Sequence, residues 1–297
     1  MTDGQPMYNG RVLTDSLATV FVPGTEPGAE TAVFLHGLGG WTQNWAALIE
    51  RLHGSVHCLA LDLPGFGRSA PPPDGRVTVG SQAAAVADHL DRGGHRPVHL
   101  VGNSLGGLAA LRLAAERPDL VRTLTLVSPV LPTLPAAPAL GVALLGLPGA
   151  PRLYARVMAA QSPERQVDDV YRVIYGDPAL VRPEQRATEA RERRRRAELP
   201  HSVQMLAGGV RAVVRSFVAT DESSAWRQAR GVAAPVLLVY GERDRLVPLR
   251  TAPRAYSAFR DARLLTLPGV GHVAMQERPG PVAEALLALI EEARSPT

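Results

Sequence analysis

Residues 99–107, "HLVGNSLGG", join two segments of opposite character. "PVHLV" (97–101) is a short apolar run that reads as a buried strand, and "LAALRLAAERP" (108–118) is a strong helix former. Only a sharp strand-to-helix turn accommodates both. Gly102-Asn103-Ser104-Leu105-Gly106 fits G-x-S-x-G at that junction. Such a turn strains its central residue, and small neighbours at 102 and 106 keep strand and helix from clashing. The serine hydroxyl is thereby lifted out at the carboxyl edge of a sheet, where open α/β folds bind ligands. The helix N-terminus beneath it offers N–H groups that favour developing negative charge.

The same alternation extends outward from this joint. "LATVFV" (17–22), "TAVFLHG" (31–37), "VHCLALDL" (56–63) and "VRTLTLVSP" (121–129) read as strands, with helical patterns over 44–52, 78–92 and 104–117. Near-continuously apolar strands that alternate with helices predict a parallel sheet covered on both faces. The rhythm breaks over 129–235, which opens Pro-, Ala- and Leu-rich and continues as helices. It resumes with "PVLLVYG" (235–241), a helix at "RTAPRAYSAF", a strand at "ARLLTLPG" and a terminal helix. The expected organisation is one α/β core, 1–128 plus 236–297, interrupted by a helical insertion at 129–235.

A nucleophilic serine needs a base, and the base needs an orienting acid. Of eight histidines, His272 in "LPGVGHVAMQERPG" occupies a glycine-bracketed loop between the last strand and the last helix. Asp244 in "YGERDRLVP" follows the preceding strand, with Glu242 the weaker acid candidate. Both loops project from the edge that carries Ser104. "FLHGLGG" (34–40) ends another strand at that edge. The backbone N–H groups of Leu38 and Leu105 are the expected oxyanion donors, and His36 is expected to bond within its loop.

With "HGLGG", "DLPGFGRS", "GNSLGG", "GERDRLVP" and "GVGH" in this order, the chain resembles the α/β-hydrolase superfamily over nearly its whole length outside 129–230. The resemblance implies an α/β-hydrolase fold: a mostly parallel eight-stranded sheet flanked by helices, with 129–235 as a helical cap over the site. It implies a Ser104–His272–Asp244 triad, and structural roles for Asp62 and Arg68. Ser104 stands where epoxide hydrolases and haloalkane dehalogenases of this type carry Asp. Carbon–carbon bond hydrolases of dienoates have a similar elbow, but usually a "GGGPG"-like loop and a Trp after the histidine; here "HGLGGW" and Val273 stand instead. The expected activity is therefore carboxylic ester hydrolysis through an acyl-enzyme. Carbon–carbon hydrolysis is the alternative, and a non-catalytic ligand-binding protein of the same fold is the reading from another class.

Bulk properties narrow the remaining classes. The 297 residues are 45% hydrophobic and 20% charged, as in an ordinary globular protein. One cysteine, Cys58, excludes an intrachain disulfide and is expected to be a small buried hydrophobe. Neither a metal nor a cofactor is expected. No signal peptide and no span of roughly 20 apolar residues is visible, so the expected location is the cytoplasm, with no stable membrane insertion. All 32 basic residues are arginine and the net charge is +4. The run "RERRRRAEL" (191–199) is expected to be a solvated face with Glu189–Arg193 and Glu192–Arg196 pairs, not a nucleic-acid site, since it lacks interleaved aromatics. One of its arginines reading a substrate carboxylate is the second possibility there. The expected partner is a small ester with an apolar acyl group. Trp41, Leu144 and Met275 are the expected pocket residues, and Trp45 a core residue. The apolar stretch 139–150 is open between a roof for that acyl group and packing onto the core.

Overall fold

The computed structural model describes residues 11–13, 17–95, 97–133 and 136–294. Eight strands form one sheet: β1 (Arg11–Leu13), β2 (Thr19–Val22), β3 (Thr31–Leu35), β4 (His57–Leu61), β5 (Val98–Asn103), β6 (Val121–Val127), β7 (Val236–Gly241) and β8 (Ala262–Leu267), in the order β1-β2-β4-β3-β5-β6-β7-β8. The β1–β2 and β2–β4 pairs are antiparallel and all the others parallel. Seven of these strands coincide with apolar runs of the sequence. β1 does not, because three residues are too few to show a period.

The strands are apolar throughout because both faces of the sheet are covered. Successive residues point to opposite faces. Val33, Leu35, Leu59 and Leu61 enter one core cluster, and Ala32, Phe34, Cys58 and Ala60 enter the other. Ahead of the insertion come the helices α1 (Ala46–Leu52), α2 (Val79–Gly93) and α3 (Leu105–Glu116). Helix α2 is stopped by Gly94 at φ 66° and capped at its start by Thr78, whose hydroxyl accepts from the Ser81 N–H.

Between β6 and β7 the described chain is helical: α4 (Ala137–Ala143), α5 (Ala150–Ala159), α6 (Pro163–Ile174), α7 (Pro183–Ala197), α8 (Ser202–Val218) and α9 (Ala225–Gly231), with short 3-10 turns at Leu144–Gly146 and Pro178–Leu180. After β7 follow α10 (Ala252–Ala258), α11 (Ala274–Glu277) and α12 (Pro279–Arg294). Helix α9 packs on α3 of the sheet layer. By contrast, α4, the turn 144–146 and α5 contain no buried residue. The stretch 139–150 therefore does not pack onto the core; it rests on α8 of the same insertion. Among the described residues no helix is long and apolar enough to cross a membrane.

Candidate active site

Ser104 sits between β5 and α3 at φ 55°, ψ −116°. A positive φ is costly for a non-glycine residue and persists only where the surroundings over-determine it. Here the Ser104 N–H donates to the Val127 carbonyl at 3.1 Å, and the Ser104 carbonyl accepts from Leu108 at 3.1 Å. The flanking glycines are a steric requirement. A Cβ at Gly102 would lie 2.5 Å from the Gly106 carbonyl oxygen, and one at Gly106 would collide with the carbonyls of Leu35 and His36. The elbow is thus wedged between β6 and the β3 loop. That loop also crosses the serine directly, since a Cβ at Gly37 would be 3.2 Å from the Ser104 Cβ.

Asp244 and His272 meet. His272 Nδ1 lies 2.8 Å from Asp244 Oδ2, and both residues are buried. The other carboxylate oxygen accepts from the backbone N–H groups of Leu246 and Val247, each at 2.8 Å. Burial raises the Asp244 pKa, but His272 and these two N–H groups outweigh it and hold the carboxyl below its ordinary value. An ionised Asp244 fixes the proton of the neutral imidazole on Nδ1 and leaves a lone pair on Nε2. The elbow reaches the same loop: Asn103 Nδ2 donates to the His272 carbonyl at 3.2 Å. Glu242 points elsewhere and accepts from the Gly269 N–H at 3.1 Å.

The insertion also holds this histidine. The His272 N–H donates to the Ile174 carbonyl, at the end of α6, at 2.7 Å. Gly176 lies so close to the histidine loop that a Cβ there would collide with the Gly269 carbonyl. Glu277 ties the two segments together, accepting from the Gly271 N–H at 2.8 Å and the Gly176 N–H at 2.9 Å.

Leu105 is the first residue of α3, where helix geometry leaves the N–H without an intrahelical partner. Leu38 lies on the β3 loop. Its side chain meets those of Leu105 and Phe66 at Gly209 of α8, a position where a Cβ would strike Leu38. His36 braces the loop from below. Its Nε2 accepts the Leu63 N–H at 3.0 Å and its Nδ1 lies 2.8 Å from the Gly37 carbonyl. Burial, with Arg196 nearby, lowers its pKa to about 4, so it stands neutral. Asp62 fixes the neighbouring turn, accepting from the N–H groups of Thr42 (2.7 Å) and Arg68 (2.8 Å).

The arginine-rich helix α7 differs from the expected solvated face. Glu192 is buried, and its carboxylate takes Arg195 and Arg196 at 2.7 Å. Arg196 also donates to the carbonyls of Gly39 and Gly40, and Arg195 to that of Gly67. One turn earlier, Glu189 accepts from Trp41 Nε1 at 3.1 Å. Burial pushes the Glu192 pKa up, but the two guanidiniums overcome this and hold it below the usual range. The Glu192–Arg196 pair forms as the spacing predicts. Its second set of partners, backbone carbonyls of the β3 loop, is remote in sequence and left no signal there.

The expected pocket residues separate. Trp41 is buried and lines a small polar cleft with Gln43, Tyr171, Gln185 and Gln276. Met275, 1% exposed, packs into the core cluster that also holds Trp45. Leu144 is 60% exposed, because the turn that carries it lies on α4, α5 and α8 without burying any residue. Cys58 is buried, and burial raises its thiol to about 12. Among the described residues no cluster of three His, Cys, Asp or Glu could hold a metal ion.

Residues 32–279 match the family model described as the alpha/beta hydrolase fold. The chain is 29% identical, over 84% of its length, to a dihydrolipoyllysine-residue acetyltransferase component of the acetoin cleaving system of Cupriavidus necator, of which it spans 61%. It is 28% identical to a 2-hydroxy-6-oxononadienedioate/2-hydroxy-6-oxononatrienedioate hydrolase of Cupriavidus pinatubonensis, covering 85% of this chain and 84% of that one. It is 27% identical to a pimeloyl-[acyl-carrier protein] methyl ester esterase of Yersinia pseudotuberculosis, covering 88% of this chain and 93% of that one. With a family match over most of its length and a sheet of the corresponding topology, the chain belongs to the α/β-hydrolase fold family.

Proposed function

We propose that this protein hydrolyses carboxylic esters with Ser104 as nucleophile, His272 as general base and acid, and Asp244 as the group that orients the imidazole. The observation that carries the proposal is the buried 2.8 Å contact between His272 Nδ1 and Asp244 Oδ2, in a loop bonded to the residue before Ser104. The strained elbow supports it, since strain of this kind clusters at functional sites. Residues 129–235 act as a cap.

In the reaction, His272 Nε2 takes the Ser104 proton as Oγ attacks the ester carbonyl. The N–H groups of Leu38 and Leu105 hold the oxyanion of the tetrahedral intermediate. Its collapse breaks the carbonyl carbon–alkoxy bond, and the alcohol leaves with the proton from His272. Water then attacks the acyl-enzyme, giving its proton to His272, and the second collapse releases the acid and returns the proton to Ser104. Similarity to a methyl ester esterase supports the ester reading; similarity to a dienedioate hydrolase makes such a substrate the necessary comparison.

A fluorophosphonate probe is expected to label wild type at Ser104 and to leave Ser104→Ala unlabelled. A chain-length series of nitrophenyl esters, run beside a dienoate carbon–carbon substrate, then decides the bond. Ester turnover lost in Ser104→Ala supports the proposal. Turnover of the dienoate alone, or ester turnover retained without Ser104, overturns it.

A further inference from the structure

Of the eleven large apolar side chains exposed among the described residues, eight fall on α4, the 144–147 turn, α5 and α8. They recur at helical spacing. Leu140 and Leu144, Leu153 and Val157, and Val214 and Val218 are three i, i+4 pairs, each side chain between 44% and 74% exposed. The elements are in mutual contact, since α5 packs on α8 and both touch the 144–146 turn. A Cβ at Gly146 would lie 3.3 Å from the Arg211 side chain and 3.4 Å from that of Val210. The rest of the surface has three such residues. An apolar concentration of this kind marks an interaction surface.

The elements that carry it bear charge of one sign. Segments 137–159 and 202–218 contain Arg152, Arg156, Arg211 and Arg215, and no Asp or Glu. Arg152 and Arg156 flank Leu153 and Val157, and Arg215 follows Val214. Two occupants have suitable apolar chemistry. A second copy seated about a two-fold axis would bring the same arginines face to face, with no carboxylate on these helices to neutralise them. An anionic lipid surface supplies phosphates for the arginines and an acyl boundary for the leucines and valines.

We infer that the α4–α5–α8 face docks this protein onto anionic membrane surfaces, peripherally and without spanning them. This goes beyond the ester-hydrolase reading and stands independently of Ser104. The test is co-sedimentation of the full chain with vesicles of phosphatidylcholine alone and of an equimolar phosphatidylcholine–phosphatidylglycerol mixture. Binding to the mixed vesicles, weakened by added salt, is expected, with little binding to the neutral ones. Arg152→Gln/Arg156→Gln should weaken that binding roughly 25-fold, about fivefold per arginine removed. Leu153→Glu/Val157→Glu should abolish it. These positions are exposed, and an unchanged melting temperature checks that both variants fold. No binding to either vesicle, or equal binding to both, overturns the inference. So does a concentration-dependent dimer that Leu153→Glu/Val157→Glu dissociates while vesicle binding is absent.

Discussion

Replacing Arg196 by Met tests how the insertion and the proposed oxyanion loop depend on each other. The side chain keeps its apolar stem and loses a guanidinium that bonds Glu192 and the carbonyls of Gly39 and Gly40. Glu192 is 4% exposed. Removing one partner of a buried ion pair costs about 3–5 kcal/mol when the remaining charge is left alone. Arg195 still contacts both carboxylate oxygens, at 2.8 and 2.7 Å, so the expected loss is smaller, about 2–3 kcal/mol. For a chain of this size that lowers the melting temperature by about 3–5 °C. The catalytic effect is separate. Removal of a whole oxyanion donor costs about 10²–10³ in kcat. The proposed donor, the Leu38 N–H, would be loosened and not removed, so about a tenfold fall in kcat with little change in KM is expected. Thermal unfolding and steady-state turnover of a soluble nitrophenyl ester measure the two. Arg196→Lys, which keeps the charge but lacks the fork, should fall between wild type and Met. A methionine variant with wild-type melting temperature and kcat would refute the coupling.

Three further outcomes follow from the site and its supports. Asp244→Asn removes the acceptor that fixes the imidazole tautomer and should lower kcat by about 10⁴; steady-state kinetics with the fold checked by circular dichroism measures it. His36 and His99 both have pKa values lowered from 6.5 to about 4, chiefly by burial, so the unfolded chain binds more protons than the folded one between those values. Stability is then lost as pH falls from 6.5 towards 4. Asp62, raised by burial to about 6, opposes this with one proton against two. Urea unfolding should show a net loss of about 1.4 kcal/mol per pH unit from 6 down to 4, and a flat profile would contradict neutral buried histidines. Gly176→Ala places a Cβ against the Gly269 carbonyl and should displace the His272 loop, with turnover falling further than the melting temperature alone explains.

The sheet was legible because its strands are buried on both faces and therefore read as short apolar runs between glycines and prolines. Ser104, Asp244 and His272 were legible as candidates because each follows a strand end, and only loops at one edge of a parallel sheet can converge. The role of α7 was not legible. Glu192 and Arg196 have the same spacing on a solvated helix as on one pressed against backbone carbonyls, and what distinguishes the cases is contact with Gly39 and Gly40 more than 150 residues away. Met275 and Leu144 misled for a related reason. Nearness to His272 in sequence does not give direction, and the four-residue helix α11 turns Met275 into the core. An apolar run such as 139–150 declares what it avoids, not what covers it.

The hydrogen bond from the His272 N–H to the Ile174 carbonyl bears on how such a protein can be remodelled. Insertion and core are not exchangeable modules here, because the base of the proposed triad hangs partly on backbone of the insertion. A chimera that swaps 129–235 wholesale would alter the setting of the imidazole along with the substrate's surroundings, and selectivity and rate would change together. A graft confined to 136–160 leaves Ile174, Gly176 and their bonds to the histidine loop in place, so that segment can be exchanged without dismantling the base.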